Sequence, residues 1–170
     1  MFKDVGYNEY AKQLLEQLPK GAFLTTKTDK DTNTMTIGWG NIGFMWKKPI
    51  FTVMVRYSRY TYDIIEKNSE FTISIPLKGQ LKKELGFCGT KSGRDIDKFK
   101  ECNLKISKGK VIDTPIIDGC NLYYECRIVH KQTIEPGLLD SLINKKSYSN
   151  HDYHVIYYGE ILASYIDELK

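Results

Sequence analysis

Residues 33–63 read NTMTIGWGNIGFMWKKPIFTVMVRYSRYTYD. Two strand-like runs flank Trp46-Lys47-Lys48-Pro49, and the second ends in a cluster of donors: Arg56, Tyr57, Ser58, Arg59, Tyr60 and Thr61. The run over 50–56 is almost continuously apolar, the pattern of a strand buried on both faces. That suits a barrel wall covered by a helix or by a second subunit. A buried strand opening into Arg, Ser and Thr is suited to holding a phosphate on a mostly apolar ligand. Arginine offers a planar fork of donors, and hydroxyls and a helix start add neutral ones. The same residues also fit a solvated strand end followed by a helix cap, so locally both readings stand.

Upstream, Gly38, Gly40 and Gly43 fall in and just after a strand expected over 35–42. Glycine weakens strands unless a backbone or ligand must come close. Trp39 and Trp46 either wall an aromatic ligand or fill the core beside bulges. Downstream, residues 87–99 read FCGTKSGRDIDKF. Gly89 and Gly93 permit close backbone approach, and Thr90, Lys91, Ser92, Arg94 and Lys98 are donors. The stretch is neither a P-loop nor a G-x-G-x-x-G fingerprint, and read alone it also fits an exposed polar loop. Cys88 is either a mildly activated thiol beside Lys91 or an inert small side chain.

The remaining pattern is mostly strands. A helix capped by Asn8 is expected over 9–17 and is stopped by Pro19-Lys20-Gly21, followed by a strand over 22–28 and a polar turn over 29–33. Short helices are expected over 61–67 and 81–87, a strand over 70–75, a polar loop or short helix over 92–99, and Tyr-, Val- and Ile-rich strands over 119–131 and 154–163. Many strands with a few short helices predict a mainly β fold, a closed antiparallel barrel with helical additions. With 170 residues, no internal repeat and no low-complexity linker, one domain over 1–170 is expected.

Composition excludes several classes. At 41% hydrophobic and 27% charged residues the chain reads as soluble and globular. The net charge of +4 is small and the basic residues are scattered among acids, which argues against a nucleic-acid patch. Met1-Phe2-Lys3-Asp4 does not open a signal peptide, and no apolar run is long enough for a membrane span. Cys88, Cys102, Cys120 and Cys126 form no C-x-x-C pair, so they read as reduced thiols of a cytoplasmic protein. His151 and His154 would lie on opposite faces of a strand with no third ligand, so no metal is expected. There is no G-x-S-x-G elbow.

Taken in order, these segments resemble the flavin reductase-like family of FMN-binding split barrels, its flavoredoxin-like branch in particular. The resemblance is carried by NTMTIGW (33–39), WKKP (46–49), VMVRYSRYT (53–61), EFTISIP (70–76), CGTKSGRD (88–95) and DKF (97–99). Tyr158-Gly159-Glu160 matches the family's last barrel strand. The resemblance implies a Greek-key-like antiparallel split barrel that forms a homodimer, with FMN near the subunit interface. It implies that Met35, Thr36, Ile37, Gly38 and Trp39 lie along the isoalloxazine. Arg56, Ser58, Tyr60 and Thr61 would hold the phosphate and ribityl chain, with Tyr57 also counted among the cofactor-binding residues. Cys88, Gly89, Thr90, Ser92 and Gly93, with Lys98, would close over the other side. NADH or NADPH is the implied donor, delivering hydride to flavin N5 with no catalytic acid or base. The alternatives are an electron carrier serving a redox protein partner, and a non-catalytic flavin-binding or sensing module. The motif-free segment 135–150 is either a lid or a surface excursion.

Overall fold

Two residues, Gly38 and Trp39, decide how the sheet closes. The computed structural model describes residues 1–168. Its first elements are β1 (Phe2–Asp4), α1 (Ala11–Gln17), β2 (Ala22–Lys27), β3 (Thr32–Ile37), β4 (Gly40–Met45) and β5 (Lys48–Arg56). The strand expected over 35–42 is thus two strands: β3 pairs with β2, and β4 pairs with β5. The physical reason lies at Gly40, where a Cβ would meet the Thr52 carbonyl oxygen at 2.6 Å. The chain can press this closely against β5 only without a side chain. Trp46 and Lys47, both at positive φ, then turn the chain back, as a tight hairpin requires.

The chain continues through α2 (Tyr60–Ile65), β6 (Glu70–Ile75), α3 (Lys82–Thr90), α4 (Lys98–Glu101), β7 (Ile106–Ser107) and β8 (Ile116–Ile117). It ends with β9 (Leu122–Thr133), α5 (Ser141–Ser147) and β10 (His154–Asp167). The main sheet runs β3-β2-β6-β9-β10-β5-β4 with β1 beside β10, and every pairing is antiparallel. β3 and β4 are its two edges, yet only two residues separate them in the chain. The sheet therefore curls until its edges approach at 38–39 without pairing, which makes the split barrel that the resemblance implies, open where the strand pattern alone suggested closure.

Side chains alternate between two cores. Ala22 and Leu24 of β2, and Leu122, Tyr124 and Cys126 of β9, face the barrel interior with Phe51 and Phe71. Phe23, Tyr123 and Tyr165 face outward, where Leu85, Cys88, Leu104, Ile116 and Ile117 cover them. This alternation is the period-two pattern of strands with a core on each side. The covering layer is pinned by buried Glu125, which accepts from the backbone N–H of Lys110 (2.6 Å), Val111 (2.8 Å) and Ile112 (3.0 Å) and from the Tyr165 hydroxyl (2.7 Å).

Three local expectations are corrected. Tyr10, not Asn8, is the N-cap of α1 and makes no side-chain cap; the preceding turn is held by Glu9 accepting from the Gly6 N–H at 3.1 Å. α3 runs on through Cys88, Gly89 and Thr90, because Gly89 lets it pack on β3 with only 3.3 Å from its missing Cβ to Thr36 Cβ. β10 continues to Asp167, because β1 and β9 both pair with its second half. Among the described residues no helix is long and apolar enough to cross a membrane.

β10 changes register against β9 between Tyr158 and Gly159, and a Cβ on Gly159 would lie 2.4 Å from Phe71 Cζ. Gly159→Ala is therefore expected to destabilise by about 1–3 kcal/mol through overpacking. Phe71→Leu in the same chain should relieve part of that cost, so the two changes combine less than additively in urea unfolding. Strict additivity would show that Phe71 does not set the limit.

Candidate functional site

Where the barrel edges approach, β3, the end of β5, the start of α2 and the end of α3 converge on two adjoining cavities. The first, of about 180 Å³, is walled by Met35, Thr36, Ile37, Gly38 and Trp39 on one side. Met54, Arg56, Arg59 and His154 face them. Trp39 is half exposed and tilts against His154, ring centroids 5.3 Å apart. Thr36 donates its hydroxyl to the Leu85 carbonyl at 2.6 Å, so its side chain tethers α3.

The second cavity, of about 110 Å³, is rich in donors. Ser58, Tyr60 and Thr61 line one wall, and Cys88, Thr90, Lys91, Ser92 and Gly93 line the other, with Asn33 and Lys98 completing it. Met35 and Arg59 line both cavities, which makes them two parts of one groove. Asn33 donates to Thr61 Oγ1 at 2.8 Å, and a Cβ at Gly93 would fall 2.2 Å from Asn33 Oδ1. Only glycine fits there. Arg59 donates to the Gly89 carbonyl at 3.2 Å, and Arg94 straps the Ser58 carbonyl (2.8 Å) to the Asp63 carboxylate (2.6 Å).

Lys98 is buried, and its ammonium donates to the carbonyls of Thr34 and Cys88, both at 2.9 Å. An ammonium has three donors, so one remains for the cavity it lines. Burial pulls its pKa down, and nearby Arg59 adds to that, while Cys88 opposes it. Burial pushes the Cys88 thiol up to about 12, so the activated-thiol reading is set aside in favour of an inert wall.

Not every expected donor faces the groove's polar end. Arg56 commits its guanidinium to the carbonyls of Asp152 (2.5 Å) and Ser147 (2.9 Å), lies over the Tyr148 ring, and lines only the first cavity. Ser58 lines the second cavity, but its hydroxyl donates to Asp152 Oδ2 at 2.6 Å. Tyr57 lines neither; it is exposed and packs edge-on against Tyr62. Gly89 reaches the site only through its carbonyl.

Sequence reasoning left Asn33, Met54, Arg59, Lys91 and His154 out of the site. Arg59 and Lys91 stood inside quoted donor clusters, but nothing in the order of residues ranked Arg59 above Arg56. His154 enters because it pairs in register with Arg56 across β10 and β5, which no local pattern reveals. Its Nδ1 lies 2.7 Å from the Tyr148 hydroxyl. Burial, then the Arg56 charge, pushes its pKa down to about 4 against an opposing pull from Asp152, so the ring is neutral near pH 7.

The molecule is thus an open antiparallel barrel with a groove that carries Trp39 and His154 at one end and is donor-rich at the other. Residues 16–170 match the flavin reductase like domain, and the chain belongs to that family. It is similar to the FMN-binding domain of a flavin reductases-like enzyme from Shewanella baltica, with a TM-score of 0.73 and 19% identity over 98% of this chain and 78% of that one. It is also similar to flavoredoxin from Methanosarcina acetivorans, at 27% identity and a TM-score of 0.66 over 87% of this chain and 68% of that one. An uncharacterized protein of Archaeoglobus fulgidus is 29% identical over 125 residues, 73% of this chain and 68% of that protein.

The depressed pKa of His154 sets a pH dependence. Its folded value, about 4, lies below the unfolded value of 6.5, so the unfolded chain binds more protons between these limits. Stability should fall as pH drops from 6.5 towards 4, and His154→Gln should flatten that slope in urea titrations. Identical slopes in both proteins would show that His154 protonates normally in the fold.

Proposed function

We propose that the groove binds FMN and that the protein is an oxidoreductase reduced by NADH or NADPH. The observation that carries this reading is the pair of unlike cavities meeting at Arg59 in a chain of the flavin reductase like family. The donor set fits the group: apolar and aromatic side chains for a ring, and hydroxyls and cations for a phosphate. Bound FMN would supply reversible two-electron chemistry, with hydride arriving at N5. Trp39, Met54 and the 35–39 stretch would hold the ring. Thr90, Lys91, Ser92 and Arg59 would hold the polar tail, with the remaining Lys98 donor. Arg59 takes the part first given to Arg56 and Ser58, because Arg56 lines only the ring cavity and the Ser58 hydroxyl is held by Asp152. Arg56 and Arg59 line the ring cavity as cations, and their charge favours an anionic reduced ring. Neutral His154 adds a hydrogen-bonding edge without further charge.

Each cavity is smaller than the roughly 300 Å³ of an ordinary ligand pocket. A second subunit would complete the groove, and the hairpin carrying exposed Phe44, Met45 and Trp46 is the apolar surface it would cover. We therefore read the protein as a homodimer. Four free cysteines, three of them buried, support a reducing compartment, and the cytoplasm is the location we propose. Similarity to a flavoredoxin at 27% identity supports a second reading, an electron carrier with the same FMN and a protein partner.

The test is to add FMN, desalt, and record the visible spectrum, then add NADH or NADPH without oxygen. A retained band that bleaches promptly is expected. A retained band that does not bleach selects the carrier, and no retained band removes FMN as a resident cofactor. Arg59→Ala should weaken FMN by about 1.5–3 kcal/mol, roughly 10- to 150-fold in Kd by fluorescence quenching. Unchanged affinity in a folded variant would take Arg59 out of the site.

A further inference from the structure

Residues 78–110 hold ten Lys and Arg against four Asp and Glu, a net charge of +6 in a chain whose total is +4. Everything else is therefore net −2. The fold gathers this segment on one side of the barrel: Leu85 and Cys88 of α3, and Leu104 beyond α4, pack into a single cluster on the outer face of the sheet. Basic residues that look scattered along the chain are thus brought into one layer.

Several lysines elsewhere are drawn into ion pairs, such as Lys27 with Asp113 (3.1 Å), Lys48 with Glu160 (2.5 Å) and Lys131 with Glu66 (2.6 Å). In the α3–α4 layer, Lys82, Lys83, Lys91, Lys100, Lys105 and Lys108 are exposed. Among the described residues, none of these six makes an ion pair. Of the layer's acids Asp97 caps α4, while Glu84, Asp95 and Glu101 lie among the lysines; two of its other cations are paired outside it, Arg94 with Asp63 and Lys110 with Asp4. The layer borders the groove, since Thr90 and Lys91 line its polar cavity. These six lysines outnumber the four acids of the same segment, Glu84, Asp95, Asp97 and Glu101, and the remaining excess of positive charge beside the groove steers anions towards it.

We propose that the α3–α4 face docks an acidic electron-transfer protein, which exchanges electrons with FMN in the adjoining groove; this rests on the FMN reading above. Lysines spread over two helices and their loops exceed what the pyrophosphate of a dinucleotide can engage. A nucleic acid fits less well. The large exposed aromatics among the described residues, Phe2, Trp39, Phe44, Trp46 and Tyr57, all lie outside residues 78–110, and Phe87 and Phe99 within it are half-buried, so the face is poor in surface on which bases stack. Lysine ammonium groups are compact and strongly hydrated, which suits a loose, quickly released encounter better than the bidentate grip of arginine. Electron-transfer complexes are of that small, transient kind. A reduced iron–sulfur protein gives one electron per encounter. Two encounters and one proton from water therefore convert FMN to its two-electron-reduced anion, leaving two oxidised partners.

The probe is an acidic plant-type [2Fe–2S] ferredoxin, titrated into the ¹⁵N-labelled, FMN-loaded protein. Amide shifts should cluster on 82–108, and affinity should fall about tenfold or more between low and ~0.2 M salt. Replacing Lys82, Lys83, Lys100 and Lys105 together by Gln should weaken binding about tenfold and slow flavin bleaching by reduced ferredoxin in step, with FMN affinity unchanged. Shifts elsewhere, salt-independent binding, or a variant equal to the parent would overturn the docking face. So would a single-stranded oligonucleotide that binds there more tightly than ferredoxin. Failure of the parent to retain FMN, seen beforehand in its spectrum, would overturn the cofactor reading instead, because the amide map does not depend on colour.

Discussion

The two-residue link at Gly38–Trp39 governs the molecule. It sends the chain from one edge of an antiparallel sheet to the other, so the sheet has to curl. Curling encloses Phe51, Phe71 and Tyr124 as an interior core. It also leaves the outer face of β2, β6 and β9 to be covered by the 81–120 layer. At the seam between the edges, backbone, aromatic side chains and helix ends meet without a ladder between them. The groove lies there because the barrel does not close. A longer link would let β3 and β4 drift apart and would dissolve both the interior core and the groove.

Inside the groove the polar end is organised by buried groups that hold one another. Lys98 ties the Thr34 carbonyl of β3 to the Cys88 carbonyl of α3, and Asn33 ties β3 to α2 through Thr61. A buried ammonium is costly unless its donors are satisfied. With two donors on carbonyls and a third facing the cavity, Lys98 is most comfortable with an anion nearby. The missing side chains at Gly89 and Gly93 let α3 and the following loop close on β3 within van der Waals distance. Together these contacts fix the donor wall before any ligand arrives, which reduces the ordering cost of binding.

How much of this was legible follows from what each signal depends on. The near-continuous apolar run of β5 and the Tyr-, Val- and Ile-rich runs of β9 and β10 are local, and the mainly β fold could be read from them. The break between β3 and β4 was less legible, because a glycine in a strand signals close approach without saying to what; the partner, Thr52, lies twelve residues further on. The two donor clusters could be read as one site only through a family resemblance, since the Arg59–Gly89 and Arg94–Asp63 contacts span about thirty residues. Which arginine lines the polar cavity could not be read at all. Arg56 and Arg59 are alike in sequence context, and what separates them is a pair of carbonyls at Ser147 and Asp152, some ninety residues away.

Those same carbonyls settle the character of the segment after β9. Its far half is tied down on four sides: Arg56 binds Ser147 and Asp152, Ser58 binds the Asp152 carboxylate, Tyr153 donates to Asn144 at 2.9 Å, and Tyr148 meets His154. Tyr148, beneath the Arg56 guanidinium, stacks on Tyr153 with ring centroids 4.9 Å apart. Such a set of contacts makes a fixed wall beside the ring cavity, since moving it would strand an arginine and a carboxylate. The near half differs. Leu138 and Leu142 stand 86% and 75% exposed on a 3-10 turn and on the short helix α5, held at its start by the Asp140 cap. Apolar side chains so exposed, on a base that cannot move, are placed to meet another surface rather than to swing over the groove. The segment is therefore better understood as a buttress with an apolar tip than as a lid.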